Sequence, residues 1–197
     1  MSTTATPFGS RPIGTIVGSP YQGKVTHYKI KNAYATDIFY GDIVKWADGN
    51  PNTTVEKDTG TTTLTPVGVF MGCAYTDPGT KQMTFSQMWP TGTVASDAVA
   101  YVIDDPDAVF KMQGDAALVQ ADLGNNVAVV QTAGSTDIGR SKNALDSSTA
   151  ATTATLPLRI VEFVNGPDSA VGDAFTDALV FFNFGDHQYR QTTGTGT

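Results

Sequence analysis

The sequence predicts an all-β protein, an antiparallel β-barrel or jelly-roll-like sandwich with an extended N-terminal arm and long loops. Three observations carry that expectation. First, the 197 residues are biased against helix: 29 Thr, 18 Val and 17 Asp stand against seven Leu and two Glu. Thr, Val and Asp are weak helix formers, and Val and Thr suit a pleated, half-buried surface. Second, 20 Gly and 10 Pro, joined by many Asp and Asn, place turn chemistry at short intervals. Third, apolar runs of strand length follow one another with no alternation of strand and amphipathic helix, the pattern of a sandwich or barrel.

Taken in order, residues 1–23 carry Pro7, Pro12 and Pro20, which exclude a helix and favour extended backbone. Phe8, Ile13, Ile16 and Val17 are more apolar than a solubilising tail requires, so this stretch is expected to be an arm that lies on a neighbouring surface. Residues 24–190 read as a single β-rich domain and 191–197 as a tail. Within the domain, residues 25–30 alternate with Tyr28 and Ile30 on one face. A short run at 38–40 turns at Gly41-Asp42 into 43–46, and Asp48-Gly49-Asn50-Pro51 is a strong turn. Residues 53–65 are polar with a Thr-Gly turn. Residues 67–75 form a strand whose glycines allow a bulge or the close approach of another backbone. It pairs, as a hairpin, with 82–89 across Asp77-Pro78-Gly79. Further strands are expected at 98–103, 109–112, 126–130, 156–164 and 178–184. A short helix is expected over 116–123, and a long surface loop over 132–155. In 156–164, Leu158, Ile160 and Val164 are expected to share a face.

The charge balance narrows the partners. A net charge of −7, with 12 scattered Lys and Arg, argues against nucleic acid and against an anionic membrane surface, both of which draw affinity from clustered cations. No apolar run approaches the roughly 18 residues of a spanning helix. The first residues lack the basic and apolar regions of a secretory leader, so none is expected. A single cysteine, Cys73, excludes an intramolecular disulfide and reads as a buried, inert thiol.

Catalytic and metal motifs are weak. His27 and His187 are far apart, and Asp186 beside His187 would face away from it in a strand. Asp104-Asp105-Pro106-Asp107 is the best metal candidate, because clustered carboxylates suit hard cations, but it lacks EF-hand spacing and reads better as a turn. The acids around Asp168 and Asp173 are no stronger. Glu56 and Glu162 are too separated in sequence to suggest a glycosidase pair. Asn52-Thr53-Thr54 is a sequon without a leader to give it meaning. No phosphate-binding glycine loop or nucleophile elbow occurs, so no cofactor and no enzymatic activity are expected.

Several segments in order resemble the small virion proteins of tailed bacteriophages that decorate or cement the capsid. They are Thr-Pro-Phe-Gly-Ser-Arg-Pro at 6–12, Ile-Phe-Tyr-Gly-Asp-Ile-Val-Lys at 38–45, and Pro-Val-Gly-Val-Phe-Met-Gly at 66–72. Val-Ile-Asp-Asp-Pro-Asp-Ala-Val-Phe at 102–110 and the stretch 146–157 complete the likeness. The resemblance implies a non-enzymatic β-rich homotrimer or homodimer on the outside of the virion, bound to the major capsid protein. On this reading the arm supplies the contacts, through Pro7, Phe8, Arg11, Pro12, Ile13 and Ile16. The alternative is a carbohydrate- or receptor-binding β module of a phage fibre or spike, which would expose an aromatic platform from Trp46, Trp89 or Tyr101.

Overall fold

The computed structural model describes residues 4–47 and 54–183. The Asp48–Pro51 turn, Asn52 of the sequon, Asp186, His187 and the 191–197 tail lie outside the described residues. The strands are β1 (Arg11–Thr15), β2 (Thr26–Lys29), β3 (Ile38–Phe39), β4 (Ile43–Trp46), β5 (Val55–Lys57), β6 (Gly68–Thr76) and β7 (Met83–Ser86). They continue as β8 (Met88–Trp89), β9 (Val99–Ile103), β10 (Ala108–Gln113), β11 (Asn126–Val130), β12 (Ala144–Ala151), β13 (Leu158–Phe163) and β14 (Asp177–Phe182). All strand pairs are antiparallel.

One sheet runs β1-β10-β14-β13-β11-β12, and the second runs β2-β9-β6-β4-β5. β7 joins the second sheet on β6, alongside β4, because β6 is long enough to pair with one partner at each end. The first sheet curls until Gly114 and Leu145 form a single parallel bridge, but both sheets stay open and the arrangement is a sandwich. The all-β, antiparallel prediction holds.

The central strands of the second sheet, β4 and β6 with much of β9, are buried on both faces. Ile43, Val69 and Ile103 pack with Phe110, Val127, Leu145, Ile160 and Val180 of the first sheet. Their chain neighbours Val44, Phe70 and Val102 point the other way, into a second core with Trp46, Cys73, Tyr75 and Trp89. That second core is covered by the two-stranded β3-β8 ribbon and by residues such as Ala95 and Ala98 from the preceding loop. Successive side chains of a strand face opposite sides, so two buried faces require an unbroken apolar run, as 67–75 supplies.

Two bulges set which side chains reach which core. In β6 the register shifts between Phe70 and Gly72, leaving Met71 as the extra residue and giving Gly72 a φ of 134°. Phe70 and Cys73 thereby enter the same core although they are three apart. In β13 the shift between Ile160 and Glu162 leaves Val161 outward and turns Phe163 inward. The expected inward residue Val164 is therefore only half-buried, and Phe163 takes its place. A bulge changes the parity of a strand, which a strict alternation cannot anticipate.

Two local expectations are corrected, those for 132–155 and 116–123. The 132–155 stretch is not all loop, since β12 lies within it and sends Leu145 into the core. Its sequence, Ala-Leu-Asp-Ser-Ser-Thr-Ala-Ala, carries little strand propensity, and pairing with β11 decides its conformation. The polar 53–65 stretch contains β5, paired with β4. Instead of a helix over 116–123, a 3-10 turn at Gln120–Asp122 forms, closed by the Val119 N–H donating to Asp122 Oδ2 at 2.9 Å. So short an α-helix does not recover its nucleation cost.

A buried carboxylate joins the layers. Gly41, at φ 90°, turns the chain from β3 into β4 and delivers Asp42, which is fully buried. Asp42 Oδ2 accepts from the Phe39 N–H at 2.9 Å and pairs with Lys57 Nζ at 2.9 Å. Asp42 Oδ1 accepts from Asn143 Nδ2 at 3.3 Å, and Asn143 immediately precedes β12 in the other sheet. Close by, the Ser10 N–H donates to the Gly41 carbonyl and the Gly9 N–H to the Asn143 carbonyl.

At Gly68 the backbones of β6 and β9 approach so closely that an added Cβ would lie 2.0 Å from the Ile103 carbonyl oxygen. That obstacle is main chain in the centre of the sheet and has nowhere to go. Gly68→Ala should therefore lower unfolding stability by at least about 3 kcal/mol, read from the urea midpoint; a change within about 0.5 kcal/mol would show that the strands separate freely there.

Candidate functional site

The N-terminal residues expected to contact a partner fall into two groups. Residues 6–10 run along the chain's own body. The Thr6 N–H donates to Gln113 Oε1 at 2.8 Å, and Ser10 Oγ donates to Met112 Sδ at 3.4 Å. Pro7 and Phe8 are half-buried, and the Phe8 ring lies under the Arg11 guanidinium at 4.7 Å and the Lys111 ammonium at 5.8 Å. Two cations over one ring hold it in place. Lys111 also pairs with Asp177 at 2.7 Å. Phe8 is thus occupied within the molecule.

From Arg11 onward the chain becomes β1, the edge of the first sheet, with Pro12 opposite Phe110. It then doubles back: Thr15 N–H donates to the Ser19 carbonyl, Gly18 N–H to the Thr15 carbonyl, and Tyr21 N–H to the Ile13 carbonyl. The stretch expected as an arm is, over these residues, a hairpin fixed to its own sheet. Its apolar residues nevertheless face solvent: Ile13 and Ile16 are each 49% exposed and Val17 80%. Beside them, on the outer face of the sheet, Ile16, Val109, Val161, Glu162 and Leu179 line a shallow hollow of about 300 Å³.

A second exposed apolar pair sits on the short strand β7, where Met83 is 64% and Phe85 72% exposed. Sequence reasoning placed these two in a hairpin without assigning their face. The signal for it exists only in the pairing of Phe85 with Ala74, which turns Met83 and Phe85 away from the core. Val17 was grouped with the arm but not singled out as a contact residue; its place at a hairpin tip is what exposes it.

Other candidate residues are absorbed into structure. Trp46 and Trp89 are buried, packed edge-on against Tyr28 and Tyr75 respectively, so neither forms a ligand platform. Tyr101 is half-buried with His27 edge-on at 4.9 Å. Asp104 accepts from Thr26 Oγ1 at 2.9 Å and from the Tyr28 hydroxyl at 2.7 Å, which ties β2 to the end of β9. Asp105 Oδ1 accepts from the Asp107 N–H at 2.9 Å, closing an Asx turn. Among the described residues no three His, Cys, Asp or Glu side chains are placed to hold a metal. Tyr21, whose hydroxyl donates to the Lys24 carbonyl, has its pKa pushed up to about 12, by burial and then by Asp105 and Asp104. Asp173 Oδ2 accepts from the Ala170 N–H in a turn. Among the described residues no helix is long and apolar enough to cross a membrane.

No family model matches the chain, and no curated protein or solved structure matches it significantly.

Cys73 lies in the second core, and burial pushes its thiol up to about 12 while Sγ donates to the Met88 carbonyl at 3.4 Å. The thiolate is the reactive form, so at pH 8 the folded chain should resist a disulfide reagent such as dithionitrobenzoate and react fully once unfolded in urea. Rapid labelling of the folded chain would contradict this placement.

Proposed function

We propose that this protein is a non-enzymatic virion component that binds the outer surface of a phage capsid and stabilises the head by clamping the major capsid protein. It does so as a homo-oligomer, trimer or dimer. The observation that carries this reading is the hydrogen-bonded hairpin with Ile13, Ile16 and Val17 exposed together at an open sheet edge. Clustered exposed aliphatic side chains on a fixed scaffold are the expected make-up of a contact surface. Held by its own hydrogen bonds, the hairpin loses little conformational freedom on docking, which favours affinity. The sequence resemblance to decoration proteins supports the same role, and a net charge of −7 suits a position away from packaged DNA. The carbohydrate-binding alternative is weakened at Trp46 and Trp89, both of which are in the core.

The contact residues on this proposal are Ile13, Ile16 and Val17, with Pro7, Phe8, Arg11 and Pro12 fixing the base of the hairpin. Deleting the segment would also remove β1 and unsettle the fold, so point variants are the cleaner test. Replacing Ile13, Ile16 and Val17 together by Asp should leave the circular dichroism spectrum unchanged. It should weaken saturable co-sedimentation with empty capsids of the encoding phage at least tenfold, about 1.4 kcal/mol. Undiminished binding would remove the hairpin from the interface. Glycan-array binding with no capsid binding would transfer the role to the carbohydrate module.

A further inference from the structure

Lys57, Asp42 and Asn143 meet at the seam between the sheets, each nearly or wholly out of solvent. The Asp42 carboxylate touches both nitrogens, Lys57 Nζ at one oxygen (2.9 Å) and Asn143 Nδ2 at the other (3.3 Å). The Asn143 carbonyl oxygen, Oδ1, accepts the Thr132 backbone N–H at 3.1 Å. The Lys57 ammonium also faces the Phe39 ring, 5.7 Å from its centroid. The geometry points to an intramolecular isopeptide bond between Lys57 Nζ and Asn143 Cγ, formed with Asp42 as the catalytic acid–base.

Amide exchange needs a proton acceptor at the amine, a donor at the carboxamide oxygen and a proton for the departing nitrogen, and each of these has a group in place. The amine must lose a proton to become a nucleophile, and the Asp42 carboxylate is the acceptor bonded to it. The carboxamide oxygen gains negative charge as the amine adds, and the Thr132 N–H is a fixed donor already aimed at that oxygen. The departing nitrogen must gain a proton, and Asp42 also contacts that nitrogen. The step balances without an oxidant, reductant or co-reactant. Asp42 takes one proton from the Lys57 ammonium, and the Nζ lone pair forms a bond to Asn143 Cγ. Asp42 returns the proton to Nδ2 as the Cγ–Nδ2 bond breaks, and ammonia leaves. Asp42 then takes the second proton from Nζ and passes it to the ammonia. The product is a secondary amide joining the end of β5 to the residue before β12, and so one sheet to the other. With a single cysteine the chain has no intramolecular disulfide, and this bond would supply a covalent tie of the same topological kind. The inference stands apart from the capsid role and is tested without a capsid.

The test is the mass of the full 197-residue chain, purified and denatured. The expected result is a mass one ammonia below that of the sequence. Trypsin should leave the chain uncut after Lys57 and release a branched peptide that joins residues 46–81 to residues 143–159. Lys57→Arg and Asn143→Ala should each restore their own full sequence masses. A wild-type chain at full sequence mass and cleaved after Lys57, as an ordinary hydrogen-bonded cluster would give, overturns the proposal. So does an ammonia loss that maps to any other residue. Loss of water with Lys57 joined to Asp42 would overturn the role of Asn143. The decisive measurement is on the wild-type chain, so a variant that fails to fold leaves it intact.

Discussion

The buried Asp42 carboxylate is the constraint on which the two-sheet arrangement depends. A carboxylate out of water is strongly unfavourable unless it is paired with a charge and hydrogen-bonded. Asp42 finds the Phe39 N–H, the Lys57 ammonium and the Asn143 amide, which come from three separate parts of the chain. The β3–β4 turn, the β5 edge and the approach to β12 must therefore all be in place at once. In the unlinked chain, removing one partner of the buried Asp42–Lys57 pair costs about 3–5 kcal/mol, because the other charge is stranded. The N-terminal strap adds to the same seam through Gly9 and Ser10, whose main chain bonds to Asn143 and Gly41. Gly9 itself admits no side chain, since an added Cβ would lie 2.6 Å from Ser141 Cβ.

Around that seam the second sheet serves two cores, and this explains the unusual run of apolar residues in β6. Val69 faces the first sheet while Phe70 faces the β3-β8 ribbon, so neither alternate position is free to be polar. The polar character of the chain is displaced to turns, where Asp side chains accept backbone N–H groups. Asp58 does this for Gly60 and Thr65, and Asp77 for Gly79 and Thr80. Asp97 accepts from the Thr76 hydroxyl and N–H, which holds its carboxyl below the usual range. Such a depressed carboxylate stabilises the fold above the ordinary Asp pKa, and the contribution fades as pH falls through the lower folded-state value. The excess of Asp over Glu follows, because the shorter side chain fits these local turns.

The surface left over is uneven. Apolar residues are exposed on the β1 hairpin and on β7, at edges of the two sheets, while Trp46, Trp89, Cys73 and the Asp104 cluster are used internally. Among the described residues the thiol and both tryptophans are packed away, and exposed apolar groups sit on sheet edges. An open edge with apolar side chains also invites self-association, which on the proposed role docking of the hairpin would prevent.

The sequence by itself determined the all-β class, most strand positions and turns such as those at 41–42 and 77–79. Composition and apolar runs are local properties, and strands such as 67–75, 98–103 and 126–130 carry them outright. It also indicated that Ile13 and Ile16 were too apolar for a tail. The tertiary structure decided the rest. β12 and β5 are strands because β11 and β4 offer them a ladder, not because Ser, Thr and Ala prefer extended backbone. The bulges at Met71 and Val161 reset which side chains are buried, and parity along a strand is fixed by its neighbours' register. Phe8 and Val17 look alike in the sequence, yet one lies beneath Arg11 and Lys111 while the other stands at a hairpin tip. The meeting of Asp42, Lys57 and Asn143 was wholly illegible, because residues far apart in sequence converge only through long-range packing.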